Sequence, residues 1–177
     1  MTLRQATGYA LRMFMLVGVT GCLAGYASRP VIAPAPVFDP VQFFSGRTVG
    51  EGTLDVRFGS KRALRVEGTG ATQSDGQFRL DQTITFADGT VETRTWLLRR
   101  VDATHYSATL SDAKGEVMAE SSGNHFHLRY LLRKPAVYVD QSLYLHPDGR
   151  SLRNQLQISV LGVPWARLSE TITRVGT

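Results

Sequence analysis

Residues 78–89 read Phe-Arg-Leu-Asp-Gln-Thr-Ile-Thr-Phe-Ala-Asp-Gly, and this stretch decides the fold. Apolar residues at 78, 80, 84 and 86 share one phase of a two-residue alternation, and most of the residues between them are polar. Such an alternation predicts a β-strand with one buried face. The Asp88-Gly89 pair that follows predicts a tight hairpin turn, because such turns need residues that tolerate positive φ.

The same pattern recurs along the rest of the chain. Two further stretches alternate in this way, one with apolar residues at 126, 128, 130 and 132, the other at 152, 156, 158 and 160. Turn signals recur at Gly59-Ser60, Asp75-Gly76, Lys114-Gly115 and Asp148-Gly149. No stretch shows a helical period, apart from a possible turn near residues 40–45. The sequence predicts an all-β domain, a single antiparallel up-and-down barrel of about 8–10 strands. A two-sheet sandwich is the alternative.

The N-terminus has the features of a bacterial export signal with a lipid attachment site. Arg4 and Arg12 provide positive charge, and residues 13–21 are mostly apolar but too few for a membrane span, which needs about 20 residues. The run Val19-Thr20-Gly21-Cys22 matches a lipobox, in which the cysteine is acylated and becomes the mature N-terminus. We therefore expect residues 1–21 to be a lipoprotein signal peptide and Cys22 to be the lipidation site. An ordinary signal peptide cut near residue 24 or 27 is the alternative.

The residue after the cysteine bears on localisation. It is Leu23, not the aspartate that retains lipoproteins at the inner membrane. We expect a lipid-anchored protein of the bacterial cell envelope, at the outer membrane and facing the periplasm. Four of the seven prolines lie within residues 30–40. This composition predicts a semi-rigid extended segment. The expected organisation is residues 22–42 as the lipidated cysteine and proline-rich spacer, and residues 43–177 as the barrel domain.

Charge and chemistry exclude several classes of function. The chain has 20 basic and 15 acidic residues, and removal of Arg4 and Arg12 leaves 18 − 15 = +3, with no basic block. We therefore expect no nucleic-acid partner. The chain lacks a G-x-S-x-G motif, and its single cysteine is assigned to lipidation. Two histidines, His125 and His127, share a strand face that should point outward. We expect no metal, no cofactor and no enzymatic activity.

An ordered set of short motifs resembles a known family. The motifs are Phe43-Phe44-Ser45-Gly46, Gly50-Glu51-Gly52, Leu80-Asp81, Asp88-Gly89, Arg94-Thr95-Trp96, Gly123-Asn124, Tyr130, Asp140, Tyr144-Leu145, Asn154, Ser159 and Gly162. In this order they resemble the uncharacterised bacterial lipoproteins catalogued as domain of unknown function 3833, over about residues 43–174. The resemblance implies a lipocalin- or calycin-like barrel and no known activity. The chain departs from the family pattern at Gln82, Gln141, Ser142, Gln155 and Val160.

Two hypotheses about function follow from the predicted barrel. In the first, its interior binds or carries a small apolar or acyl molecule, which an eight-stranded barrel is able to hold. In the second, the core is filled and the protein is an envelope scaffold that contacts another protein; an apolar cavity of about 300 Å³ or more would favour the binder. The candidate ligand-binding residues are Phe78, Phe86, Arg94, Trp96, Asn124, Phe126, Leu128, Tyr130 and Asn154.

Overall fold

The computed structural model describes residues 30–134 and 136–176. The predicted signal peptide, Cys22 and the first residues of the predicted spacer lie outside this range. The described chain forms one short helix and ten strands: α1 (Pro40–Phe44), β1 (Gly46–Val56), β2 (Arg62–Thr72), β3 (Phe78–Phe86), β4 (Val91–Arg100), β5 (His105–Leu110), β6 (Val117–Ser122), β7 (His125–Arg133), β8 (Val137–Leu145), β9 (Ser151–Val160) and β10 (Val163–Val175).

The ten strands form a closed antiparallel barrel. Each strand pairs with its neighbours in the sequence, and β1 pairs with β10 to close the sheet. The predicted up-and-down barrel is thus confirmed, and the sandwich alternative is wrong. The hairpins predicted from Asp-Gly pairs are present, with φ of 79° at Gly76, 84° at Gly89 and 65° at Gly149. Closure leaves no unpaired edge for another chain to extend.

One end of the barrel is closed by α1 and the residue before it. Asp39 caps the helix, because its side chain accepts hydrogen bonds from the backbone N–H groups of Val41 and Gln42. Phe38 donates its backbone N–H to the Gly123 carbonyl at 2.8 Å and is only 1% exposed. The end of the predicted spacer, from Phe38 on, is therefore part of the folded barrel. We call this end the closed end, and the opposite end the mouth.

The interior is divided between two apolar clusters. The larger one gathers the aromatic residues of the closed end, among them Phe38, Phe43 and Phe126. A smaller one lies on the inner face of β2 and β3 and contains Leu64, Val66, Ile84 and Phe86. Among the described residues, no helix has the length and apolar content needed to cross a membrane. The space that these clusters leave inside the barrel contains the candidate site.

Candidate ligand-binding cavity

A cavity of about 800 Å³ occupies the barrel interior. Its wall includes Arg62, Arg133 and Trp165 near the mouth, and Pro40 and Phe44 of α1 at the opposite end. The volume falls within the range of pockets that hold small ligands, about 300–1,000 Å³. The apolar part of the wall is formed by Leu54, Leu64, Val66, Phe78, Leu80, Ile84, Phe86, Trp96, Leu98, Phe126, Leu132, Val137, Val139, Leu143, Leu156, Ile158, Val160, Leu168 and Ile172.

A chain of hydrogen-bonded polar side chains crosses one side of this wall. Gln141 of β8 donates from Nε2 to Asn154 Oδ1 of β9 at 3.0 Å. Asn154 in turn donates from Nδ2 to Glu170 Oε2 of β10 at 2.8 Å. All three side chains are almost completely buried. These three hydrogen-bonded side chains place amide and carboxyl groups in a largely apolar part of the interior.

The polar wall retains atoms that the protein does not satisfy. Among the described residues, Gln141 Oε1, Glu170 Oε1 and the Tyr130 hydroxyl have no hydrogen-bond partner, and all three residues line the cavity. A buried polar atom without a partner costs about 1–3 kcal/mol. Native structures rarely keep such atoms, and when they do a water or ligand commonly supplies the missing bond. These atoms therefore mark where a polar group inside the cavity would be held.

Burial alters the acid–base properties of two of these side chains. Desolvation raises the pKa of the Glu170 carboxyl, and this effect is opposed by the hydrogen bond from Asn154 and the charge of Arg94. Desolvation also raises the pKa of Tyr130 to about 12. The Tyr130 hydroxyl therefore keeps its proton at neutral pH and is available as a donor.

Two glycines of β1 make room for the buried carboxyl. A Cβ atom on Gly50 would overlap with Glu170 Oε1, and one on Gly52 would come within 2.6 Å of the Ser169 carbonyl oxygen. Because β1 and β10 are paired, any side chain at these positions would push Glu170 away from Asn154. The motif Gly50-Glu51-Gly52 thus has a structural explanation: it accommodates Glu170.

A second polar group lies on β3 and β4. Trp96 donates its indole N–H to Gln82 Oε1 at 2.9 Å, and Arg94 forms an ion pair with Asp112 at 2.8 Å. All four residues line the cavity. Arg94 and Trp96 therefore face inward.

The structure brings most of the predicted site residues together. Asn124 and Leu128, however, do not line the cavity. Asn124 lies at the closed end, where its side chain accepts from Ala33 N at 2.7 Å and donates to the Leu145 carbonyl at 3.2 Å. Leu128 is 1% exposed and packs in the larger apolar cluster. The cavity wall contains the other seven: Phe78, Phe86, Arg94, Trp96, Phe126, Tyr130 and Asn154.

Gln141 and Glu170 also belong to the cavity wall, although the sequence pattern did not predict them as site residues. Asp140 and Glu170 lie on opposite faces of the barrel wall. Asp140 is on the outer face, 3.4 Å from His127 Nε2, whereas Glu170 faces the cavity. The other histidine of this face, His125, stacks on Tyr144 with ring centroids 4.6 Å apart. Among residues 30–134 and 136–176, no group of three or more His, Cys, Asp or Glu side chains is arranged to hold a metal.

Comparison with known families decides the affiliation of this chain. Residues 16–174 match the family described as "Protein of unknown function (DUF3833)". The chain belongs to this family. The match confirms the resemblance drawn from the ordered motifs and spans the whole barrel. No curated protein matches the chain.

Solved structures similar to this chain share its fold at low sequence identity. The S-type phycobiliprotein lyase CPES from Guillardia theta is 7% identical with a TM-score of 0.61, over 77% of this chain and 91% of the lyase. Rv2717c from M. tuberculosis is 17% identical with a TM-score of 0.60, over 78% and 99%. A DUF3598 protein of unknown function from Nostoc punctiforme is 14% identical with a TM-score of 0.60, over 84% of this chain and 53% of that protein. These matches show a lipocalin-like barrel fold.

The buried carboxyl makes stability depend on pH. Folding raises the pKa of Glu170 above its ordinary value of 4.5, so the folded chain binds more protons than the unfolded chain between the two values. The stabilisation is complete below the unfolded pKa and is lost as pH rises through the folded pKa. We expect Glu170→Gln to remove this loss, so that the wild type becomes less stable relative to the variant as pH increases. Urea unfolding of both proteins at a series of pH values measures the difference; parallel curves would contradict it.

Proposed function

We propose that this protein is a lipid-anchored bacterial envelope protein whose barrel binds one amphipathic molecule with an acyl chain. The observation that carries the proposal is the cavity of about 800 Å³, whose apolar wall includes the unsatisfied polar atoms of Tyr130, Gln141 and Glu170. A ligand with an apolar body and one polar group would match a wall that is mostly apolar and has a few unsatisfied polar atoms on one side. A filled core would have favoured the scaffold hypothesis, and the cavity does not support it.

The apolar wall supplies the main free energy of binding. Each methylene removed from water contributes about 0.8 kcal/mol, so a ten-carbon chain gains about 8 kcal/mol in gross terms. Association costs several kcal/mol in lost freedom of motion, and the polar contacts offset part of that cost. A net free energy of about 5 kcal/mol corresponds to submillimolar affinity for a ten-carbon chain, and a longer chain should bind more tightly.

In this proposal, the polar end of the ligand contacts the part of the cavity wall formed by β7 to β10. The Tyr130 hydroxyl is a donor, Gln141 Oε1 is an acceptor, and Glu170 Oε1 is a third buried polar atom without a partner. Arg94 is already paired with Asp112, which makes it a weaker candidate for holding an anionic head. An ester, amide, hydroxyl or protonated carboxylic acid suits this wall. The proposed role is binding and carriage, without catalysis.

Binding is tested with the mature protein and two probes that differ only in the head group. A fluorescent fatty acid and the alcohol of the same chain length should each bind saturably at one site. The alcohol should bind at least as well at neutral pH, because an ionised carboxylate head group loses its hydration inside the apolar cavity. Native mass spectrometry of protein purified from cells should show one bound lipid mass. Absence of saturable binding to both probes would overturn the proposal.

Localisation is tested at Cys22. The described chain enters the barrel at the closed end, where Phe38 bonds to Gly123, so an anchor upstream leaves the mouth unobstructed. The acyl chains of a mature lipoprotein hold a protein at the membrane, since one chain gives only marginal binding and further chains give stable anchoring. We expect Cys22→Ser to move the protein from the membrane fraction into the soluble fraction after a salt wash. Continued sedimentation with membranes would contradict lipidation as the anchor.

A further inference from the structure

Three connections lie side by side at the mouth of the barrel. They join β7 to β8, β9 to β10, and β1 to β2. Backbone hydrogen bonds link them, since Leu161 N donates to the Ala136 carbonyl at 2.9 Å and Arg57 N donates to the Trp165 carbonyl at 2.8 Å. This half of the mouth is therefore one continuous surface.

Large apolar side chains project from this surface into solvent. Phe58 is 89% exposed, Leu161 72%, Val163 47% and Trp165 43%. We call these four residues the apolar rim. The rings of Phe58 and Trp165 pack edge-to-face with centroids 6.3 Å apart, and Trp165 also lines the cavity. The apolar rim is thus continuous with the interior of the barrel.

The backbone conformation of the two most exposed rim residues is unfavourable for their side chains. Phe58 has a φ of 62° and Leu161 a φ of 50°, both in the left-handed region. Leu161 and Gly162 both have positive φ, as in a type I′ turn, where asparagine is preferred at the first position. Stability alone would favour asparagine or glycine at both sites. Such a backbone cost at an exposed apolar residue points to a role in binding.

The charges around the mouth are distributed unevenly. Basic residues accompany the apolar rim: Arg57, Lys61, Arg133 and Lys134, with Asp55 paired to Lys61 at 3.5 Å. The opposite half of the mouth, formed by the β3–β4 and β5–β6 connections and the strand ends beside them, has Asp88, Glu92, Asp112 and Glu116 together with Lys114. Asp88 and Asp112 are paired there with Arg62 and Arg94, each at 2.8 Å, whereas Glu92 and Glu116 have no ion pair among the described residues. The apolar half therefore attracts an anionic surface, and the other half does not.

We infer that the apolar rim docks on a membrane surface rich in anionic phospholipid. Phe58, Leu161 and Trp165 enter the boundary between head groups and acyl chains, and the basic residues meet the phosphate groups. In this orientation the mouth opens toward the acyl chains of the bilayer. Exposed aromatic and aliphatic tips with flanking basic residues match a lipid interface in both polarity and charge. The docking site does not require the proposed ligand, because the apolar rim and its basic neighbours lie on the outside of the barrel.

The two tryptophans of the chain make the docking measurable. Trp96 lies inside the barrel and Trp165 in the apolar rim, so the Trp96→Phe variant reports only on the rim. The mature protein, purified from cells, is added to vesicles whose acyl chains are brominated. We expect quenching of Trp165 emission on phosphatidylglycerol vesicles, weaker quenching on phosphatidylcholine vesicles, and a decrease with added salt.

A variant separates docking from folding. The double variant Phe58→Asn with Leu161→Asn replaces two exposed apolar residues with asparagine, which tolerates positive φ. We therefore expect the free energy of unfolding to be equal to or higher than that of the parent protein. The dissociation constant for the phosphatidylglycerol vesicles should rise by about tenfold for each apolar side chain removed. The matched control, Val101→Asn with Met118→Asn, removes two apolar residues that are 57% and 54% exposed elsewhere on the surface, and should dock like the parent protein.

Three results would overturn the inference. Trp165 emission that brominated phosphatidylglycerol fails to quench would show that the rim does not enter the bilayer. Equal quenching of the asparagine variant and the parent would show that the apolar rim is not the contact. Concentration-dependent dimerisation in buffer that buries Trp165 would identify the rim as an interface between two copies of the chain.

Discussion

Replacing Phe38 with alanine is expected to lower the free energy of unfolding by about 3–5 kcal/mol. The side chain is 1% exposed and belongs to the larger apolar cluster of the barrel. Its ring packs edge-to-face on Phe43 at 5.7 Å and on Phe126 at 5.8 Å, so it joins α1 to the barrel wall. Truncation removes these contacts and leaves a hole at the closed end, which α1 cannot fill without moving.

Urea denaturation of both proteins measures the effect, with the preceding residue as the matched control. Val37 is 71% exposed, and Val37→Ala should change the free energy of unfolding by less than about 0.5 kcal/mol. If Phe38→Ala costs no more than Val37→Ala, the segment before α1 only rests on the barrel. A large difference would place the start of the folded unit at or before Phe38.

The strands of this barrel were predictable because their signals are local. Alternation at residues 78–86 and the Asp88-Gly89 turn each involve neighbours in the sequence, and the structure has a strand and a hairpin there. The burial of Phe38 has no such signal. It depends on contacts with Phe126 and Gly123, far along the chain, and the nearby prolines indicate only an extended conformation.

The cavity was predictable only in part, for a related reason. Alternation tells which face a residue is on but not its height along the barrel axis. Asn124 and Asn154 therefore looked equivalent, yet the first binds the N-terminal segment at the closed end and the second lines the cavity. Glu170 was missed because a charged residue on a strand is usually exposed. The signal for it is on another strand, in Gly50 and Gly52, and becomes visible only once β1 and β10 are paired.

Filling the cavity from two sides is expected to weaken ligand binding strongly without unfolding the protein. Ile84 of β3 and Leu156 of β9 both face the cavity and are buried. The double variant Ile84→Trp with Leu156→Trp projects two indole rings into the cavity of the barrel. Both residues are packed in the apolar clusters and also border the cavity, so each ring can extend into the cavity volume, and we expect the barrel to remain folded.

The loss of affinity depends on how much of the ligand's acyl chain the two indole rings exclude from the cavity. If the rings take the place of about four methylenes at about 0.8 kcal/mol each, affinity for the fluorescent fatty alcohol falls by roughly 100-fold. A shorter probe should lose less than a long one, because it needs less of the filled space. Titration of both probes into both proteins measures the ratio.

The control places the same side chains on the outside of the same two strands. Thr85 and Gln155 are adjacent to the two cavity positions and lie on the outer face. Thr85→Trp with Gln155→Trp should bind both probes like the wild type. Equal binding by the cavity-filled variant would show that the probes bind elsewhere, whereas a loss in both variants would mean that added tryptophan perturbs the strands themselves. Only a loss confined to the inward pair assigns the ligand to the barrel interior, because the two variants differ in the face of the sheet that they occupy and in little else.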